Sequence, residues 1–164
     1  MGDSLIKYVE WVEVQTFFSG YILVYVLVLW GNNYLHLTRF FKNNLLKKLP
    51  LAYALTGTFY LCFQLKNAVP DFELHFSFLK VWGFISVLFW IPALQRKPVY
   101  SVLHNSIFFL LMLYDSCVQL FSPSGSSNYA VNNMKIYLIS FLINLTTIMI
   151  IYVIFLILKP VDKA

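Results

Sequence analysis

Polar and apolar positions along this chain fall into long blocks. Apolar runs cover residues 16–31, 50–65, 76–94, 99–121 and 136–158. Each run ends in polar or turn-forming residues: Gly31-Asn32-Asn33, the mixed stretch Lys66 to His75, Leu94-Gln95-Arg96-Lys97-Pro98, Ser122 to Asn128, and Lys159-Pro160. At about 1.5 Å per residue, runs of this size match a hydrocarbon core roughly 30 Å thick. The pattern predicts five membrane helices: Thr16–Gly31, Pro50–Leu65, Phe76–Leu94, Val99–Phe121 and Ile136–Leu158. The second is short for a span. Pro50 suits its first turn, and Ala52, Ala54 and Gly57 offer surfaces for close helix approach. Pro92 predicts a kink or an early end to the third.

Two further segments show helical periodicity outside these runs. Asp3, Lys7, Glu10 and Glu13 recur on one side of Asp3–Gln15, with Leu5, Tyr8, Val9, Trp11 and Val12 elsewhere. That is an amphipathic helix, either lying on the membrane or extending the first span outward; extension is favoured. In Tyr34–Leu49, Tyr34, Leu37, Phe41 and Leu45 form an apolar stripe opposite His36, Arg39, Asn43 and Lys47. Arg39, Lys42, Lys47 and Lys48 predict a basic interfacial helix in contact with anionic headgroups.

Composition agrees with a membrane protein. The 164 residues are 60% hydrophobic and 12% charged, where a soluble domain carries about 25% charge. The net charge of +5 does not point to nucleic acid, because the cations sit in short segments between apolar runs. Arg39, Lys42, Lys47, Lys48, Arg96, Lys97, Lys159 and Lys163 all fall on one predicted side. The positive-inside rule then places the N-terminus outside and the C-terminus in the cytoplasm of a plasma or bacterial inner membrane; Lys135 is the dissenting residue. The first residues are acidic where a signal peptide needs a basic region, and Ile6 breaks the myristoylation pattern.

Candidate chemistry is sparse. The hairpin 76–121 carries Lys80 in one arm and Asp115 in the other, about 17 and 18 residues from the middle of its turn. Similar depth predicts an ion pair across the hairpin, with Asp71 or Glu73 as competing partners for Lys80. His104, Phe108, Leu111, Asp115 and Gln119 share a helical face, with Asn105 beside it. This stripe reads either as the lining of a proton or ion path or as a structural network in which Gln119 meets His75. Asn144, Thr146 and Thr147 are the main polar residues of the last run, and the glycosylation pattern at Asn144 falls inside it.

His36 and His104 could in principle ligate a b-type haem, but neither lies well inside a span. Cys62 and Cys117 have no CxxC or metal spacing and are expected to be reduced. No nucleotide-binding, metalloprotease or serine-hydrolase motif is present, and no internal repeat. These readings predict an all-α integral membrane bundle forming a single transmembrane domain, 1–164, without cofactor or metal. The expected role is a non-enzymatic subunit embedded in the bilayer that binds itself or partner membrane proteins. The alternative is a small transporter or ion- or proton-conducting device using Lys80, His104, Asn105, Asp115, Gln119 and Asn144.

Overall fold

The computed structural model describes residues 2–34, 39–68, 77–121 and 127–158, with side chains for all of these except 2–5, 32–34, 39–44, 68, 120 and 127–132. Among the described residues every element is helical: α1 Gly2–Phe18, α2 Tyr21–Tyr34, α3 Arg39–Ala68, α4 Phe78–Ile85, a 3-10 segment Ser86–Trp90, α5 Pro92–Gln95, α6 Pro98–Phe121 and α7 Ser127–Leu158. Three stretches are long and apolar enough to cross a membrane: Ile6–Gly31, Pro98–Gln119 and Asn133–Leu158. Phe78–Trp90 is a shorter apolar helix.

Side-chain pairings set the directions. Glu13 meets Gln64 and Tyr21 meets Tyr53, so α1–α2 runs antiparallel to α3. Tyr60 meets Phe84 and Tyr53 meets Phe89, which makes the α4 and 3-10 pass antiparallel to α3 as well. Phe18 and Tyr21 face Asn105 and Ser101 of α6 in reverse order. Thr56 meets Asn144 and Thr147, and the Lys48 ammonium sits 3.5 Å from the Phe155 ring centroid, so α7 also opposes α3. Among the described residues, successive passes through the bundle thus alternate in direction.

Several boundaries differ from the expected ones, each for a local reason. The basic segment and the second apolar run are one helix, α3, with Pro50 buried inside it instead of opening a new one. The first run is interrupted at Ser19–Gly20, in its middle, instead of beginning at Thr16. Ser-Gly pairs are recurrent kink sites, and here the Ser19 hydroxyl bonds back to the Gln15 carbonyl at 2.7 Å. The third run leaves the α-helix at Ser86, whose hydroxyl donates to the Gly83 carbonyl. Ile91 is extended (φ −69°, ψ 124°), the conformation imposed on a residue before proline, and Pro92 opens α5. Gln95 then donates to the Phe89 and Trp90 carbonyls at 3.0 and 2.9 Å, satisfying groups freed by the break. The last helix begins at Ser127, ahead of the expected Ile136.

The core is aromatic. Phe18 stacks on Phe108 at 4.8 Å, and Tyr53 touches Phe18, Tyr21, Phe89 and His104. The outer surface is apolar in its turn, with Leu103, Leu110, Leu138, Met149 and Ile157 exposed. That surface would be costly in water and suits hydrocarbon.

Candidate functional site

Polar side chains inside the bundle gather in three places. The first is the interruption between α1 and α2. The backbone ladder runs to Ser19 N–H on the Gln15 carbonyl and resumes with Val24 N–H on the Gly20 carbonyl. The groups released between them are taken by neighbouring helices. Asn144 Nδ2 of α7 donates to the Phe17 carbonyl at 2.8 Å, and Asn105 Nδ2 of α6 donates to the Phe18 carbonyl at 2.9 Å. Gly20 N–H donates to Ser140 Oγ at 2.8 Å. Thr56 of α3 joins Asn144 and Thr147 at 3.3 and 3.1 Å. A Cβ on Gly20 would collide with the backbone of Ser140 and Phe141, so glycine is what allows α7 this close.

The second place lies where α1, α3 and α4 meet. Lys80 pairs with Glu10 at 3.1 Å, and Gln64 Nε2 donates to Glu13 Oε2 at 2.8 Å. Here the structure corrects the expected Lys80–Asp115 pair. Equal distance from a turn sets depth but not the direction in which a side chain points. Lys80 faces α1, whereas Asp115 faces α7. The acidic positions of α1 also reverse the expected amphipathic pattern: Glu10 is buried while Ile6, Tyr8 and Val9 are exposed. The sequence places Glu10 and Glu13 on the polar side of an amphipathic helix; the available signal for their inward direction was two carboxylates immediately before an apolar run.

The third place is the α6–α7 seam. Asp115 Oδ2 accepts from Gln119 Nε2 and Asn133 Nδ2, both at 2.8 Å, and Asn133 also donates to Gln119 Oε1 at 3.1 Å. Asn133 is the member that sequence reasoning missed. His75, expected beside Gln119, lies outside the described residues, as do Asp71, Glu73 and His36.

The residues of the predicted α6 stripe point to different neighbours. The buried positions of α6 are Ser101, Asn105, Phe108 and Met112, while Leu111 is exposed. His104 turns toward α3 and α4: Nδ1 lies 2.8 Å from Tyr53 Oη, and its ring stacks on Trp82 at 4.8 Å. Trp82 Nε1 donates to the His104 carbonyl at 3.1 Å. A ring held this way is packed, with Nε2 buried and unpartnered.

At the basic end, Lys47 is exposed and Lys48 covers Phe155; desolvation lowers the Lys48 pKa from the ordinary lysine value. The Arg39 and Lys42 side chains lie outside the described ones. Cys62 and Cys117 are free and exposed. Among the described residues no group of three or more His, Cys, Asp or Glu is placed to hold a metal. No protein-family model matches this chain, and no curated protein or solved structure matches it.

Proposed function

We propose that this chain is a five-span, non-enzymatic membrane subunit that assembles with itself or with partner membrane proteins, its N-terminus outside and its C-terminus cytoplasmic. The observation that carries the reading is how the interior polar groups are used. Asn105, Asn144, Ser140, Thr56 and Thr147 hold helices to one another at the α1–α2 interruption. Asp115 is bound by amides, and Glu10 by an ammonium. Among the described residues no acid, base and nucleophile converge. Such an interior specifies one packing arrangement and offers the bilayer an apolar exterior. What supports five passes is that α3 and the α4 and 3-10 segment pack antiparallel to each other within the same bundle as the three longer apolar stretches. The basic segments 39–48 and 95–98 then lie at the anionic leaflet.

The test is native mass spectrometry of the protein extracted from its own membrane in mild detergent. A fixed stoichiometry, either a homo-oligomer or a one-to-one complex, supports the reading, and it should survive Asp115→Asn. A monomer that drives solute flux in proteoliposomes, lost on Asp115→Asn with the fold intact, would replace it with the transporter reading. One observation favours that second reading: a helix interrupted at the centre of the bundle is the feature from which transporters build substrate sites.

A further inference from the structure

The antiparallel helices α3 and α7 meet along a seam. Thr56 joins Thr147 and Asn144 at its centre, and the Lys48 ammonium covers the Phe155 ring at its cationic end. Beside the centre the seam opens on the apolar exterior as a groove of about 300 Å³. Phe59 of α3 lines it, with Ile139, Leu142, Ile143, Thr146 and Thr147 of α7. Phe59, Ile139 and Leu142 are exposed. The two threonine hydroxyls are already used within α7. Thr146 donates to the Leu142 carbonyl at 2.8 Å and Thr147 to the Asn144 carbonyl at 2.9 Å. The groove therefore asks for an apolar occupant. Its volume stands at the lower end of the roughly 300–1,000 Å³ of ligand clefts, which suits one narrow chain.

Charge near the groove identifies the occupant. Phe59 follows Lys48 by eleven residues on one helix, about three turns and a rise of roughly 16 Å. Both side chains therefore leave the same side of α3. That rise matches one leaflet, since half of a hydrocarbon core is about 15 Å. Lys47, beside Lys48, is exposed. Among the described residues no carboxylate pairs with either lysine: Glu10 binds Lys80, Glu13 binds Gln64, and Asp115 binds Gln119 and Asn133. We propose that this seam binds one anionic phospholipid, its phosphate on Lys47 and Lys48 and one acyl chain laid along α3 into the groove at Phe59. The proposal rests on the reading that puts the basic end of α3 at the anionic leaflet, and adds to it a fixed site for a single tail. A neutral lipid would leave the lysines without a counter-charge. A second copy docked here about a two-fold axis would bring the same lysines against one another, a like-charge contact.

The test is native mass spectrometry of the full chain in detergent, titrated with phosphatidylglycerol or with phosphatidylcholine of identical chains. The expected result is saturable retention of one phosphatidylglycerol per chain, about tenfold tighter than phosphatidylcholine. Lys47→Gln with Lys48→Gln should remove that difference. Thr146→Phe, which fills the groove from an exposed position, should weaken retention of both lipids about tenfold. Phosphatidylglycerol brominated near its chain ends should also quench the fluorescence of the Phe59→Trp variant more than that of the unaltered protein. Equal retention of the two lipids would overturn the site. Retention that depends on the lysines but ignores Thr146→Phe would overturn it as well, leaving only a headgroup contact. An oligomer that dissociates on Thr146→Phe with its lipid content unchanged would give the groove to a second copy and overturn the lipid. The leaflet assignment beneath the proposal is read separately, by maleimide labelling of Gln95→Cys in intact cells, so its failure is distinguishable from loss of the site. If Thr146→Phe does not fold, quenching decides: no added quenching in Phe59→Trp overturns the proposal.

Discussion

At the scale of single residues, Lys80 shows that direction matters as much as depth. Its partner is Glu10, 3.1 Å away, although Asp115 stands at a similar distance from the hairpin turn. Removing one partner strands a charge in a low-dielectric region. Lys80→Leu should therefore cost about 3 kcal/mol, the lower end of the range for a fully buried pair. Glu10→Leu should cost less, because the lysine stem can carry its charge outward. The double Leu variant should recover most of the loss, while Lys80→Leu with Asp115→Leu should be additive. Denaturant unfolding of these four variants and of Asp115→Leu alone checks this, and coupling to Asp115 in place of Glu10 would refute the assignment. Glycines give a second contrast. Gly20→Ala meets rigid backbone at Ser140 and Phe141 and should prevent native packing. At Gly57 the added methyl meets the Ser86 side chain first. Gly57→Ala should be partly rescued by Ser86→Ala, and Gly20→Ala by no side-chain change, as read by folded yield on size-exclusion chromatography.

At the scale of elements, the α1–α2 interruption is held by groups from two other helices. Asn105→Leu and Asn144→Leu each leave a backbone carbonyl of α1 without its donor, at Phe18 and Phe17 respectively. Each should lower stability by about 1–3 kcal/mol. Asn144 also serves Ser140 and Thr56, so its loss should be the larger. Amide hydrogen exchange across residues 17–24 should speed up in both variants while α3 stays protected. Uniform faster exchange throughout the bundle would mean that the clamps are not local. Of this arrangement the sequence shows only ingredients. Asn144 and Asn105 stand out as polar residues in apolar runs, and Ser19-Gly20 as a kink pair. The carbonyls they serve lie 127 and 87 residues away in the chain, beyond any local pattern.

At the scale of the whole molecule, the alternating passes of the described residues place residues 95–98 and the end of α7 at one face and the start of α1 at the other. With the basic segments inside, a reporter fused after Ala164 should be active only in the cytoplasm. A cysteine introduced at Gln95 should resist membrane-impermeant maleimide in intact cells, and its labelling there would invert the orientation. Cys62 and Cys117 are both free, so mobility on denaturing gels should be the same with and without reductant.

Helical class, the apolar exterior and the three long apolar stretches were legible in the sequence alone, because hydrocarbon requires long apolar runs and helices that satisfy their own backbone. Val99–Phe121 was legible to within one residue of α6. What only the tertiary structure decided is which way each polar side chain points. Periodicity groups residues on a face, yet no pattern within a helix says which neighbour that face meets. In α1, periodicity grouped Glu10 and Glu13 on one side, but packing against α3 and α4 decided that they meet Lys80 and Gln64. In α6, one predicted stripe split between α3, α4 and α7 because its residues reach different partners. A continuous helix through Pro50 was likewise hidden, since the intrinsic penalty for proline is local and the contacts that offset it are not.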